Sequence, residues 1–205
     1  MKKIILAILI LSLPIFVWAQ DVDSDYLKIY SLDNLRFKSQ FALWDLDGGY
    51  DLATIDLGGD GQSEILVGAG RRHQPSIKIL RGNGTFINEF LVYDEGFTGG
   101  INIMGCDFEN DGRQEILIGA NQGGGAHVRI FDGFGNPKIS PGFFAASQEY
   151  KQGVQVGCAD TDGNGFDEIF TITGNDTKQL KAFDFEGNLL NEIDLPLKAH
   201  NIDIA

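Results

Sequence analysis

An acidic loop recurs three times at nearly constant spacing, and no other feature restricts the fold so tightly. "DLGGDGQSEILVGA" begins at Asp56, "DFENDGRQEILIGA" at Asp107 and "DTDGNGFDEIFTIT" at Asp160, so the copies stand 51 and 53 residues apart. The likeness extends beyond the loops. "SIKILRGNG", "HVRIFDGFG" and "LKAFDFEG" follow at matching distances, with Gly84, Gly135 and Gly187 in the turns. A partial copy, "YLKIYSLDN" around Lys28, stands first, with Asn34 where the others carry Gly. Asn is the residue best able to replace Gly at a left-handed turn position. Periods of this length mark arrays, solenoids or propellers.

Each unit reads as four strands, in the second unit "INIMGCDF", "EILIGAN", "AHVRIFDG" and "PGFFAAS". The second strand of each unit is apolar at consecutive positions, the mark of burial on both faces. The third alternates, and between its apolar residues sits a base: Lys28, Lys78, Arg129 and Lys181. An unpaired charge between packed sheets is costly, so each base is expected to reach an acid or a carbonyl. No 3.6-residue pattern of helical length follows residue 20. These observations predict an all-β fold, a β-propeller of four-stranded blades; a β-solenoid would repeat at a shorter period. The expected divisions are a partial blade at 26–48, blades at about 49–99, 100–152 and 153–198, and the start of another at 199–205. "KAHNIDIA" at the chain end matches a first strand, while "YLKIYSL" and "KSQFALWD" match a third and a fourth, with no second strand in evidence. The expectation is an open arc or incomplete ring of three full blades, whose free edges invite self-association.

Counted from the first Asp, the loops carry oxygen-bearing residues at positions 1, 3, 5 and 9, with Gly at 6. The first offers Asp56, Asp60 and Glu64, with Gly58 at position 3. The second offers Asp107, Glu109, Asp111 and Glu115, and the third Asp160, Asp162, Asn164 and Glu168. Alternate positions of a tightly wound loop turn towards one centre, and hard oxygen ligands in such a loop suit Ca2+. Without a cation the carboxylates repel one another. An EF-hand would need Glu at position 12, where Val67, Ile118 and Thr171 stand, and flanking helices in place of strands. Up to three Ca2+ sites are therefore expected.

The loops, the "ILVGAG" and "ILIGAN" strands after them, "GGGAHVRIFDG" and the "GFTGG" lead-in at 96–100 resemble FG-GAP/VCBS repeats, the blades of integrin-α-type propellers. The resemblance covers nearly everything from about residue 26 to 205. It implies a calcium-stabilised propeller serving in adhesion or binding. Gly58, and fewer units than a full ring needs, depart from the family pattern.

The formal net charge of −13 argues against nucleic acid or an anionic membrane surface as partner. Residues 1–19 have the layout of a secretory signal peptide: Lys2 and Lys3, an apolar run from Ile4 to Trp18, and Val17-x-Ala19 as cleavage site. The expected product is secreted, extracellular or periplasmic, without membrane insertion after cleavage. Cys106 and Cys158 stand one and two residues before their loops, so they should point to opposite faces of equivalent strands. Two buried free thiols are expected. "GANQGGGAHVR" lacks a phosphate-loop ending and reads as a strand-to-strand turn. His73, His127 and His200 show no zinc spacing, with His127 expected on a blade face, and "RRHQP" at 71–75 is a basic loop. No nucleophile, base and orienting residue emerge as a set. The chain reads as a non-catalytic module for extracellular protein or glycan. The alternative is a propeller domain or accessory module of an extracellular polysaccharide-active enzyme.

Overall fold

A computed structural model of the chain describes residues 15–18, 26–31, 37–42, 48–174 and 178–195. Among them the regular structure consists of strands, and no helix is long and apolar enough to cross a membrane. Three consecutive four-stranded antiparallel sheets follow chain order. The first comprises β4 (Tyr50–Ile55), β5 (Glu64–Ala69), β6 (Ser76–Arg81) and β7 (Phe86–Leu91). The second comprises β8 (Ile101–Cys106), β9 (Glu115–Ala120), β10 (His127–Phe131) and β11 (Phe143–Phe144). The third comprises β12 (Gln155–Ala159), β13 (Glu168–Thr173), β14 (Lys178–Phe183) and β15 (Leu189–Leu195). The all-β class and the four-strand unit are as the repeat implied, except that β11 is only two residues long.

Ahead of these lies a three-stranded sheet of β1 (Ile15–Trp18), β2 (Tyr26–Ser31) and β3 (Phe37–Ala42), in that order. Trp18 is opposite Lys28 in the antiparallel β1–β2 pair, just as Val67 is opposite Lys78 between β5 and β6. The second-strand place that the sequence left empty is thus taken by residues 15–18, from the segment expected to be removed on export. The last expected strand, 199–205, lies outside the described residues, as do His200 and the side chain of Lys28.

Burial explains why these segments are strands. Every residue of β9 is buried, as are five of six in β5, because these second strands are covered on both sheet faces. Ala53, Ile55, Leu66, Ile77 and Ile79 of the first sheet pack against Ile101, Ile103, Ile116, Ile118 and Phe131 of the second. A second core joins Leu117, Val128 and Ile130 to Val156, Ile169 and Phe183 of the third. The first strands β4, β8 and β12 lie side by side. They approach closely at Gly105, where an added Cβ would come within 2.7 Å of the Thr54 carbonyl oxygen. An alanine there would force the sheets apart.

Cys106 and Cys158 correct the expectation of free thiols: they form a disulfide, with Cα atoms 6.1 Å apart. Their opposite orientation, which rules out pairing within one sheet, is what pairing between stacked sheets requires. One cysteine projects forward from β8 and the other backward from β12, and the two meet between the sheets.

Candidate functional site

The three acidic loops close the turn between the first and second strand of each four-stranded sheet, and one hydrogen-bond scheme builds all of them. The carboxylate at position 1 accepts from the backbone N–H groups of the loop it begins. Asp56 accepts from Gly59 (2.7 Å), Asp60 (3.2 Å) and Gly61 (2.7 Å). Asp107 accepts from Asp111 and Gly112, and Asp160 from Gly163, Asn164 and Gly165. The position-5 oxygen accepts from the position-7 N–H: Asp60 from Gln62, Asp111 from Arg113, Asn164 from Phe166. The position-9 Glu reaches back to position 2: Glu64 accepts from Leu57, Glu115 from Phe108 and Glu168 from Thr161.

Positions 4 and 6 are left-handed in every copy. Gly59, Asn110 and Gly163 occupy the first and Gly61, Gly112 and Gly165 the second, with φ between 52° and 93°. Position 6 was legible from its invariant Gly; position 4 was hidden by Asn110, the non-Gly residue most at home there. Position 8, also missed, ties neighbouring loops together. Gln114 donates its N–H to the Asp56 carbonyl and accepts from the Asp56 N–H through Oε1, both at 2.9 Å. Asp167 does the same to Asp107, at 3.1 and 2.8 Å.

Within this shared frame the acids are arranged differently. In the third loop Asp160, Asp162 and Glu168 bring one carboxylate oxygen each within 4.8 Å of the others, the one such carboxylate trio among the described residues. The Thr161 hydroxyl donates to Glu168 Oε2 at 2.6 Å and holds it in place. Asn164 turns its Oδ1 to the backbone and donates through Nδ2 to Asp162. In the second loop Lys138 intervenes, its Nζ 2.7 Å from Glu109 and 3.6 Å from Glu115. This cation comes from the turn after β10, and the acids of the second loop do not converge as those of the third do. In the first loop Gly58 supplies no side chain, and Asp56, Asp60 and Glu64 do not converge as a trio.

Burial pushes the carboxyls of Glu64 and Glu115 above the ordinary range, against the lowering effect of the Leu57 and Phe108 N–H groups. Asp56 and Asp60 add to the rise at Glu64, and Glu109 and Asp111 add to it at Glu115, where the Lys138 charge opposes them. The donor set is all oxygen, hard and anionic, as Ca2+ requires, and a carboxylate with about four lone-pair sites can serve backbone donors and a cation together. The third loop fits such an ion best, and the second fits only if Lys138 swings away.

The three third-strand bases whose side chains are described have partners, as expected. Lys78 faces Glu89 across the β6–β7 pair at 3.7 Å, and Lys181 faces Glu192 across β14–β15 at 3.7 Å. Arg129 donates instead through Nη1 to the Val92 carbonyl. His127 lies on the sheet face, stacked on Phe144 with ring centroids 4.5 Å apart. "RRHQP" is a turn whose Arg72 N–H donates to the Thr98 carbonyl.

No family model matches the chain. Among solved structures it is similar to rhamnogalacturonan lyase YesW, at TM-score 0.54 and 16% identity, over 86% of this chain and 44% of that one. It is similar also to the exotype rhamnogalacturonan lyase YesX, at TM-score 0.53 and 16% identity, over 82% of this chain and 41% of that one. Bap1, a biofilm matrix protein of V. cholerae, aligns over 87% of this chain and 35% of its own, at TM-score 0.42 and 17% identity. That last match is too loose to carry an inference. The chain spans less than half the length of the lyases it matches, and at these identities the likeness concerns the fold alone.

Proposed function

We propose that this chain is a secreted, calcium-stabilised binding module of the FG-GAP/VCBS type, its sheets set as propeller blades, which binds an extracellular polysaccharide and performs no chemistry itself. The observation that carries the calcium reading is the convergence of Asp160, Asp162 and Glu168 on a loop whose backbone scheme is repeated in two other copies. Such an ion neutralises the acids and fixes the turn between β12 and β13; no step of a reaction is assigned to it. Export is supported by the Cys106–Cys158 disulfide, a cross-link that persists in oxidising compartments. Glycan is favoured over protein as partner because the two lyases of similar fold are named for a polysaccharide. The same two names support a second reading, a propeller domain or accessory module of a polysaccharide-active enzyme.

Affinity electrophoresis through gels loaded with acidic and neutral polysaccharides, with calcium or chelator in the running buffer, tests the proposal. Retardation without polymer degradation is expected. Migration unaffected by every polymer removes the binding reading, and depolymerisation replaces it with the enzyme reading.

A further inference from the structure

The third-strand base is balanced in the first and third sheets by a glutamate directly opposite, Glu89 for Lys78 and Glu192 for Lys181. The second sheet breaks this rule. In its β10–β11 pair His127 is opposite Phe144 and Val128 opposite Phe143, so the next residue, Gly142, takes the place facing Arg129. No side chain fits at Gly142. Its φ is +99°, and an added Cβ would lie 2.3 Å from the Val128 carbonyl oxygen and 3.0 Å from Arg129 Cγ. Here the chain has kept the base and cannot supply the acid.

Arg129 is left with the Val92 carbonyl and two ring faces, Phe131 at 4.6 Å and Tyr93 at 5.8 Å from its central carbon. Its Nε is buried without a partner, and among the described residues no carboxylate lies within ion-pair distance of it. Beside this guanidinium opens a cleft of about 420 Å³ between the first and second sheets, a size typical of small-molecule sites. Tyr93 and Phe97 give it aromatic surface, His127 and Arg129 give it donors, and exposed Ser140 and Asp94 stand at its wall. Tyr93 is fixed by donating its hydroxyl to the His127 carbonyl at 2.8 Å, and Asp94 accepts from the Gly96 N–H.

We propose that this cleft binds one uronate unit of an extracellular polysaccharide, the sugar carboxylate taking the counter-ion place beside Arg129 that Glu89 and Glu192 fill in the other sheets. A guanidinium pairs with a carboxylate through parallel hydrogen bonds. A sugar ring lays its C–H face on an aromatic ring, and Ser140 and Asp94 suit its hydroxyl groups as donor and acceptor. An acidic peptide would satisfy Arg129 but leave that hydroxyl-matching wall unused. The cleft opens beside the turn between β9 and β10, at the opposite end of the sheets from the acidic loops, so no bridging cation is needed. The inference rests on the polysaccharide reading above.

Calorimetric titration of the purified chain with a short galacturonate oligomer, its fully methyl-esterified form and a glutamate-rich peptide, at fixed calcium, tests it. The free acid is expected to bind, and the ester to bind roughly tenfold more weakly or worse, the loss that follows removal of one charge-assisted pair. Arg129→Gln should weaken the acid by a similar factor. Ser140→Glu, at an exposed position in the cleft wall, should also weaken binding of the acid by placing a competing carboxylate in the cleft. Equal binding of acid and ester, binding unmoved by both substitutions, or a peptide that binds as tightly as the sugar would each overturn the inference. Should the chain still be retarded by polysaccharide gels in those cases, only the cleft assignment fails. Should no polymer retard it, both readings fail.

Discussion

Cys106, the last residue of β8, is covalently joined to Cys158 of β12, so the first strands of the second and third sheets are tied beside the loops that follow them. Closing a loop of this length restricts the unfolded chain by about 4 kcal/mol in the loop-entropy account. Replacing both cysteines by serine should lower the unfolding free energy by an amount approaching that figure, seen as a fall in the urea midpoint. Reductant should lower the wild-type midpoint towards that of the variant. A wild-type midpoint insensitive to reductant would show the sulfurs unpaired in solution.

Calcium should raise the melting temperature and chelator lower it. For a site with a dissociation constant near 10⁻⁴ M, millimolar calcium contributes about 1.4 kcal/mol. Asp162→Ala should remove most of this increment, since Asp162 belongs to the trio in the third loop; Asp111→Ala should remove less. Gly58→Asp should add an increment, because a Cβ at Gly58 meets only ordinary contacts, 3.6 Å from Asp60 Cγ and 3.9 Å from Asp56 Oδ1. In chelator the same substitution should destabilise, through a fourth carboxylate in the loop. Identical melts of wild type with calcium and with chelator would refute the metal assignment.

Arg129→Met and Lys78→Met should separate the two kinds of base. Losing Lys78 breaks a partly buried cross-strand pair with Glu89, at a cost of up to about 1 kcal/mol. Losing Arg129 removes a carbonyl hydrogen bond and ring contacts but also relieves a cation held without a counter-ion. The net change should stay within about 1 kcal/mol of zero. Thermal melts of each variant check this, and a loss above about 2 kcal/mol at Arg129 would mark it as a structural tie.

His127 should make stability depend on pH near neutrality. Burial pushes its pKa down, the Arg129 charge pushes the same way, and the Pro141 carbonyl opposes them. Tyr93 and Asp94 complete the polar surroundings of the cleft. The folded chain therefore holds His127 neutral where the unfolded chain takes up a proton. Its contribution is complete above the ordinary pKa of about 6.5 and is lost as the pH falls through that value towards the lower folded one. The stability difference between wild type and His127→Gln should shift against the wild type between about pH 7.5 and pH 5.5. A difference constant across that range would exclude the effect.

Much of this molecule is legible in its sequence because repetition multiplies weak signals. A single Asp-Gly turn says little, but Asp56, Asp107 and Asp160 in register locate three loops and the strands that flank them. Features carried by one copy alone were not legible. Lys138 meets Glu109 from a turn 29 residues away, and nothing in the repeat announces it. The short β11, and with it the loss of an acid opposite Arg129, emerges only from strand register. The disulfide was missed for a different reason: alternation places a side chain on one face of its own sheet and is silent about what faces it from the next. The same silence hid the part of position 8, since Gln114 and Asp167 act on the preceding loop and not on their own.

The Cys106–Cys158 bond has a mechanical consequence for the chain under tension. Tension applied along the backbone passes from β8 directly into β12 through the two sulfurs, so the residues between them carry no load. With a sequence separation of 52, that hidden length would extend by about 170–190 Å if released. The first four-stranded sheet has no such bypass. Under a pull it unravels, as do β13, β14 and β15 beyond Cys158, while the residues from Cys106 to Cys158 stay shortened until a reductant cuts the link and lets the slack run out.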